Sequence, residues 1–199
     1  MKVDIEIKGI KELMAKLDPN KVRLAANSAL NKVAAQAKTE ASKQIRSEYN
    51  IKASDVSKNM KLTTRARGDQ MEAEITGTKR GMALSYFGAK QLGVIANKKS
   101  FRLTRRASGG RGGAVSVEVK KGGRKTLRGD PKPFITKFKS GHIAVVQREG
   151  KDRKPIQQLL GPGIALLFGS KKIMAATKKL INEKFDSIFK HELEYRMKK

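Results

Sequence analysis

The sequence predicts an α+β fold: a small antiparallel β-sheet or sandwich packed against a long N-terminal helix, with a C-terminal helix and a protruding basic β-hairpin arm. Three observations predict it. Residues 19–49 carry a helical stripe of small apolar side chains. Residues 170–197 carry a second stripe made of bulky ones. Between them lie short stretches that alternate apolar and polar residues and are cut by glycine and proline, the pattern of strands and turns. Strands gathered between two long helices favour segregated layers. No internal repeat is visible, so the expectation is one domain over residues 1–199 with the basic arm inserted at 98–130.

Taken in order, residues 2–8 alternate Val3, Ile5 and Ile7 against Asp4, Glu6 and Lys8, a half-buried strand. Gly9 breaks it, and Ile10, Leu13, Met14 and Leu17 mark a short helix over 10–17. The long helix follows. Val22, Ala26, Ala29, Leu30, Val33, Ala37, Ala41 and Ile45 recur at steps of three or four, opposite Lys21, Asn27, Ser28, Lys38, Thr39, Ser42 and Lys43. Asp18 is placed to cap it, Pro19 suits its first position, and Asn50 is a plausible stop. At 1.5 Å per residue the rod is roughly 45 Å long. A coiled-coil arm is the weaker alternative, because the apolar positions are small and keep no strict heptad.

Ser54-Asp55 starts a short helix that ends near Met60. Residues 61–67 (KLTTRAR) and 71–77 (MEAEITG) flank Gly68-Asp69-Gln70 and predict a β-hairpin. In 78–90, Leu84, Tyr86 and Phe87 point to another strand or turn with a buried edge. Residues 98–128 change character, with eleven lysines and arginines against one acid, Glu118, and glycines clustered at 109, 110, 112, 113, 122 and 123. Between the glycines, 114–120 (AVSVEVK) alternates as a strand. The simplest expectation is a long basic hairpin with flexible ends, an arm that orders on assembly. Strands are expected at 134–138 and 142–148, turned at Gly141, then a polar turn at 149–154 and an extended 155–160. Gly161-Pro162-Gly163 is a break, and 164–168 is apolar but far too short to span a bilayer. The last helix presents Ile173, Ala176, Leu180, Ile181, Phe185, Ile188, Phe189 and Leu193.

The totals bound the function. Of 199 residues only 38% are hydrophobic, and the net charge is +27. Such a chain repels itself and favours polyanions or acidic protein surfaces as partners. It has no cysteine, which excludes disulfides and thiolate metal sites. No apolar run approaches the ~20 residues of a membrane span. The N-terminus lacks a signal-peptide core, so a cytosolic origin is expected.

A search for catalytic chemistry returns nothing coherent. His142 and His191 have no second ligand at metal-binding spacing, and they fit a strand end and a solvated helix face. Asp130 and Asp152 are the acids nearest the basic region. A nuclease gathers several carboxylates around magnesium, and these two do not form such a set. The glycines at 109–113 and 161–163 lack the lysine and hydroxyl of a phosphate loop, and backbone freedom explains them better. No catalytic residue, cofactor or metal ligand is assigned. The basic arm is the strong feature: its lysines and arginines neutralise phosphates without reading bases. Phe101 alone interleaves with them, which gives base stacking little support. A solvated positive face and docking onto acidic neighbours are the other uses such charge has.

With these residues in view, the chain resembles the minor tail protein Z family of tailed bacteriophages. The likeness rests on 29–45 (ALNKVAAQAKTEASKQI) followed by 52–67, on the glycine-interrupted basic hairpin, and on 142–160 (HIAVVQREGKDRKPIQQLL), in that order. It covers most of the chain, and no single motif in it is diagnostic. The resemblance implies a virion structural protein, made in the host cytoplasm, that completes the tail at its head-proximal end and helps join it to the capsid. It implies a homo-oligomeric ring, commonly a hexamer, around the DNA channel, next to tail-terminator or tail-tube and head-tail connector proteins. On this view Arg102, Arg105, Arg106, Arg111, Lys120, Lys121, Arg124 and Lys125 face genomic DNA or an acidic neighbour, and Phe185, Ile188 and Phe189 serve core or subunit packing. The alternative is a free, non-sequence-specific nucleic-acid-binding protein.

Overall fold

The computed structural model describes residue 14 and residues 16–96, 101–103 and 113–198. The strand expected at 2–8 lies outside the described residues, as does most of the helix expected at 10–17. The architecture is α+β, with two long helices and small antiparallel sheets. The chain divides into two compact units. One is built from the residues up to Ile45, Val56–Lys79 and the residues from Ile164 on; the other from Arg46–Asp55 and Arg80–Gly163.

In the first unit the organising element is α1, Pro19–Glu48. Its start is capped as the sequence predicts: Asn20 N donates to Asp18 Oδ1 at 2.9 Å. All eight apolar stripe residues are buried, and Ala25 and Ala34 widen the stripe. Asn27, expected on the polar face, is buried as well, for a physical reason. A hairpin lies against this side of the helix, β1 (Met60–Thr64) with β2 (Glu74–Gly77), in the register Met60↔Gly77 and Leu62↔Ile75. Beyond the ladder its backbone groups need partners, and α1 supplies them. Asn27 Nδ2 donates to Gly68 O at 2.8 Å, and Asn31 both donates to Ala66 O and accepts from Ala66 N at 2.9 Å. Arg23 pairs with Asp69 at the same turn. Gly68 takes φ +56° there, which a side chain would strain. Before the hairpin comes α2, Ala53–Asn59, close to its predicted bounds.

The apolar 164–168 stretch forms α3, Ile164–Phe168, with Ile164, Leu167 and Phe168 buried. It sits directly on β2. A Cβ on Gly77 would stand 2.8 Å from Ala165 N, so only glycine lets the two backbones meet. Ala165 N donates to Thr78 O at 3.2 Å. The last helix, α4, runs Lys171–Met197. Ile173, Ile181 and Phe185 of its stripe are buried, while Ala176, Leu180, Ile188, Phe189 and Leu193 are less so. Phe185 and Phe189 stack with ring centroids 5.9 Å apart. The periodicity did not foresee Glu192, which is only 6% exposed. It pairs with Lys32 of α1 and lies 3.6 Å from Arg196. Its pKa is lowered, chiefly by the Lys32 hydrogen bond, against the opposing effect of burial and with further help from Ser28.

The second unit is a set of short strands. β9 (Phe134–Lys137), β10 (Ile143–Arg148) and β11 (Ile156–Gln158) form an antiparallel sheet with β10 at its centre, and Gly141 turns the β9–β10 connection at φ +81°. Ile135, Ala144, Val145 and Val146 are its buried residues. Residues 78–90, indistinct in the sequence, resolve into β3 (Met82–Ala83), a 3₁₀ turn at Leu84–Phe87, and the start of β4 (Lys90–Gln91). Leu84 and Phe87 are buried, and Tyr86 is exposed. β12 (Leu160–Gly161) pairs with β3, and a Cβ on Gly161 would lie 2.9 Å from the Phe87 ring. Close approach to that ring is therefore what requires Gly161. The backbone freedom expected of it does not come into play.

The basic region departs from a self-contained hairpin. β5 (Val94–Ala96) pairs with β6 (Phe101–Leu103). β7 (Val115–Val117), the strand expected in 114–120, is the middle of a three-stranded sheet between β4 and β8 (Lys125–Thr126). Val115 and Val117 are buried. The alternation of 114–120 puts both valines on one face, and their burial outweighs the charge of their neighbours.

The first unit yields two stability predictions. Because the folded pKa of Glu192 is depressed, its contribution is present above the unfolded value of about 4.3 and lost as pH falls through the folded value. Glu192→Gln should cost about 1–2 kcal/mol at pH 7 in chemical denaturation, and the gap to wild type should close in acid. Replacing Ala29 and Ala37, both fully buried, by leucine should cost roughly 1–3 kcal/mol per site through overpacking. Thermal and denaturant melts of the double variant measure it.

Candidate functional site

The charged segment is rooted by backbone contacts at the edge of the second unit. Gly113 N donates to Leu92 O at 2.8 Å, and the buried Gln91 donates through Nε2 to Gly113 O at 2.9 Å. Gln91 Oε1 accepts from Ile135 N at 2.8 Å, which ties the same point to β9. The chain thus enters the segment beside Leu92 and returns at Gly113. Of the cations the sequence singles out, Arg105, Arg106 and Arg111 lie outside the described residues, and Arg102 stands opposite Ile95 in the β5–β6 ladder.

The other four are brought together at one end of the β4–β7–β8 sheet. Lys120 and Lys121 occupy the turn between β7 and β8, and Lys125 stands opposite Val117. The turn is built from several bonds. Gly123 N donates to Lys120 O at 3.1 Å, and Lys121 N donates to Glu48 O at 2.9 Å. Gly122 has φ +73°, and its N donates to Glu118 Oε1 at 2.9 Å. The other oxygen of Glu118 accepts from Arg124 Nη2 at 3.2 Å. Arg124 Nη1 reaches Gly88 O at 3.1 Å and the Ser116 carbonyl and hydroxyl at 3.3 Å each. Arg124 is therefore committed to the chain's own acceptors, whereas Lys120, Lys121 and Lys125 stand exposed. Lys90, which the linear sequence did not bring forward, is also exposed and pairs with Ser116 in the row that continues to Thr126. Only the pairing register could have located it.

Elsewhere the sequence candidates separate. His142 stacks on Phe138 with centroids 6.0 Å apart, and its Nε2 is 3.4 Å from Gln158 Nε2. His191, Asp130 and Asp152 are exposed. Among the described residues no group of three or more histidines and acids is placed to hold a metal ion, and no helix is long and apolar enough to cross a membrane. On α4, Phe185 is buried within the chain, and Ile188 and Phe189 keep part of their apolar surface open.

This arrangement can hold a negatively charged surface against a rigid sheet end. No curated protein and no solved structure matches the chain. The family model described as prophage minor tail protein Z (GPZ) does, over residues 7–199, which takes in both long helices, every sheet among the described residues and the basic segment. The chain belongs to the prophage minor tail protein Z family, structural proteins of the phage tail.

Proposed function

We propose that the chain is a tail-completion subunit, one of six copies in a ring at the head-proximal end of the tail. There it joins tail to capsid around the DNA channel and acts structurally, without catalysis. It is made in the host cytoplasm and ends in the virion neck. Its neighbours are tail-terminator or tail-tube proteins on one side and head-tail connector proteins on the other.

The observation that carries this reading is family membership over nearly the whole chain. The charge supports it. Copies at +27 each repel one another unless anions or acidic neighbours compensate, and duplex DNA offers one negative charge per ~1.7 Å of axis. A closed ring needs a heterologous contact, one surface of each subunit meeting a different surface of the next. The half-open Ile188 and Phe189 on α4 are candidates for the apolar part of that contact.

Quantitative mass spectrometry of purified particles tests the proposal. The chain should be present at about six copies and located at the neck by reconstruction. Absence from particles, with the protein free in the cell on nucleic acid, would replace it with a free nucleic-acid-binding role. Replacing Arg102, Arg105, Arg106, Arg111, Lys120, Lys121 and Lys125 by glutamine should impair particle completion or DNA retention while the purified subunit keeps its melting temperature. A melting temperature that collapses would mean these cations serve folding.

A further inference from the structure

We propose that the Lys120-Lys121 turn and the exposed face of the β4–β7–β8 sheet grip the phosphate backbone of duplex DNA, and that Glu118 and Arg124 are positioning residues for this grip. The inference rests on the reading that the chain works beside genomic DNA. It divides the cations that sequence treats alike. Arg124 has four acceptors within the chain between 3.1 and 3.3 Å: Gly88 O, Ser116 O, Ser116 Oγ and Glu118 Oε2. A guanidinium so engaged has Nη1 and part of Nη2 directed at the chain rather than at a phosphate. Its planar fork suits this bridging, because it holds the β7–β8 turn to the chain just before β4.

Glu118 is the only acid in residues 98–128. It spends one oxygen on Arg124 and the other on Gly122 N, in the turn that carries the lysines. The one negative charge of the region is thus used to fix the shape of the turn. Lys120, Lys121 and Lys125 then stand exposed on or just after this turn, and Lys90, in β4 on the other side of β7, is exposed in register with Ser116. Long ammonium side chains on a fixed turn suit phosphate contacts that carry no sequence information. A duplex is favoured over a single strand, because residues 115–126, from β7 through the turn to β8, contain no aromatic residue for base stacking.

The test is binding of the purified full chain to a mixed-sequence DNA duplex, followed by fluorescence anisotropy across a salt series. The wild type should bind with a steep dependence of log K on log salt. Lys120→Gln with Lys121→Gln should make that slope shallower by about 1.8, since each phosphate left without its lysine takes ~0.9 from it. Glu118→Gln discriminates most sharply. It adds one unit of positive charge, so a face acting through charge alone would bind DNA more tightly. Positioning predicts weaker binding and a shallower slope, as for the lysine pair. Arg124→Lys keeps the charge and should show the same loss, since an ammonium cannot replace the fork.

Circular dichroism melts confirm that each variant is folded at the assay temperature, and the lysine pair keeps the test open should either positioning variant unfold. Tighter binding by Glu118→Gln, or an unchanged slope in Arg124→Lys or in the lysine pair, overturns the inference. So does a wild type that binds polyglutamate but no duplex. That last result leaves the ring at the neck standing, since copy number and location in particles are read separately.

Discussion

Forty-five lysines and arginines against eighteen acids set the constraint under which this chain folds. Like charges on a small domain repel over roughly 8–10 Å at moderate salt, so each carboxylate is valuable at a point where segments must meet. Three of them occupy such points. Glu192 draws Lys32 to α4, Asp69 holds the hairpin turn to Arg23 of α1, and Glu118 fastens the β7–β8 turn to Arg124. Of these only Glu192 is buried. Its depressed pKa follows from the cations beside it and makes that contact sensitive to acid.

The second organising feature is small size at contact points. On α1, where most of the buried face is alanine, dispersion energy comes from close approach. The alanine face of α1 permits that, as does Gly77 against Ala165 and Gly161 against Phe87. Where side chains are absent, backbone polar groups come near one another, and side-chain amides serve as their partners. Asn27 and Asn31 satisfy the hairpin end in this way, and Gln91 does the same for Gly113 and Ile135.

For function, the structure sorts cations by what they already touch. Arg124 is part of the sheet's internal bonding, while Lys90, Lys120, Lys121 and Lys125 are exposed and make none of those bonds. A protein that must hold a polyanion without reading it needs both kinds: charges that meet the partner and a rigid base that keeps them in place. Family membership supplies the setting, a phage tail.

Local pattern sufficed for α1, α2 and α4, the 61–77 hairpin, the 134–148 strand pair and the family, because apolar spacing and turn residues act over a few neighbouring positions. The same pattern misplaced Asn27, was silent on Glu192, and gave no sign of the acceptors that hold Arg124. Each of those residues is defined by a partner distant in sequence: Gly68, Lys32 and Gly88. The 114–120 strand was legible, but its neighbours on both sides were not, since β4 comes from before the glycine-rich stretch. What the sequence by itself determined was the long helices, the clearest strand pairs, the family and the large positive charge. Which charges are spent inside the fold and which are left for a partner was decided by tertiary structure alone, because only folding brings a donor within hydrogen-bond reach of acceptors on other strands.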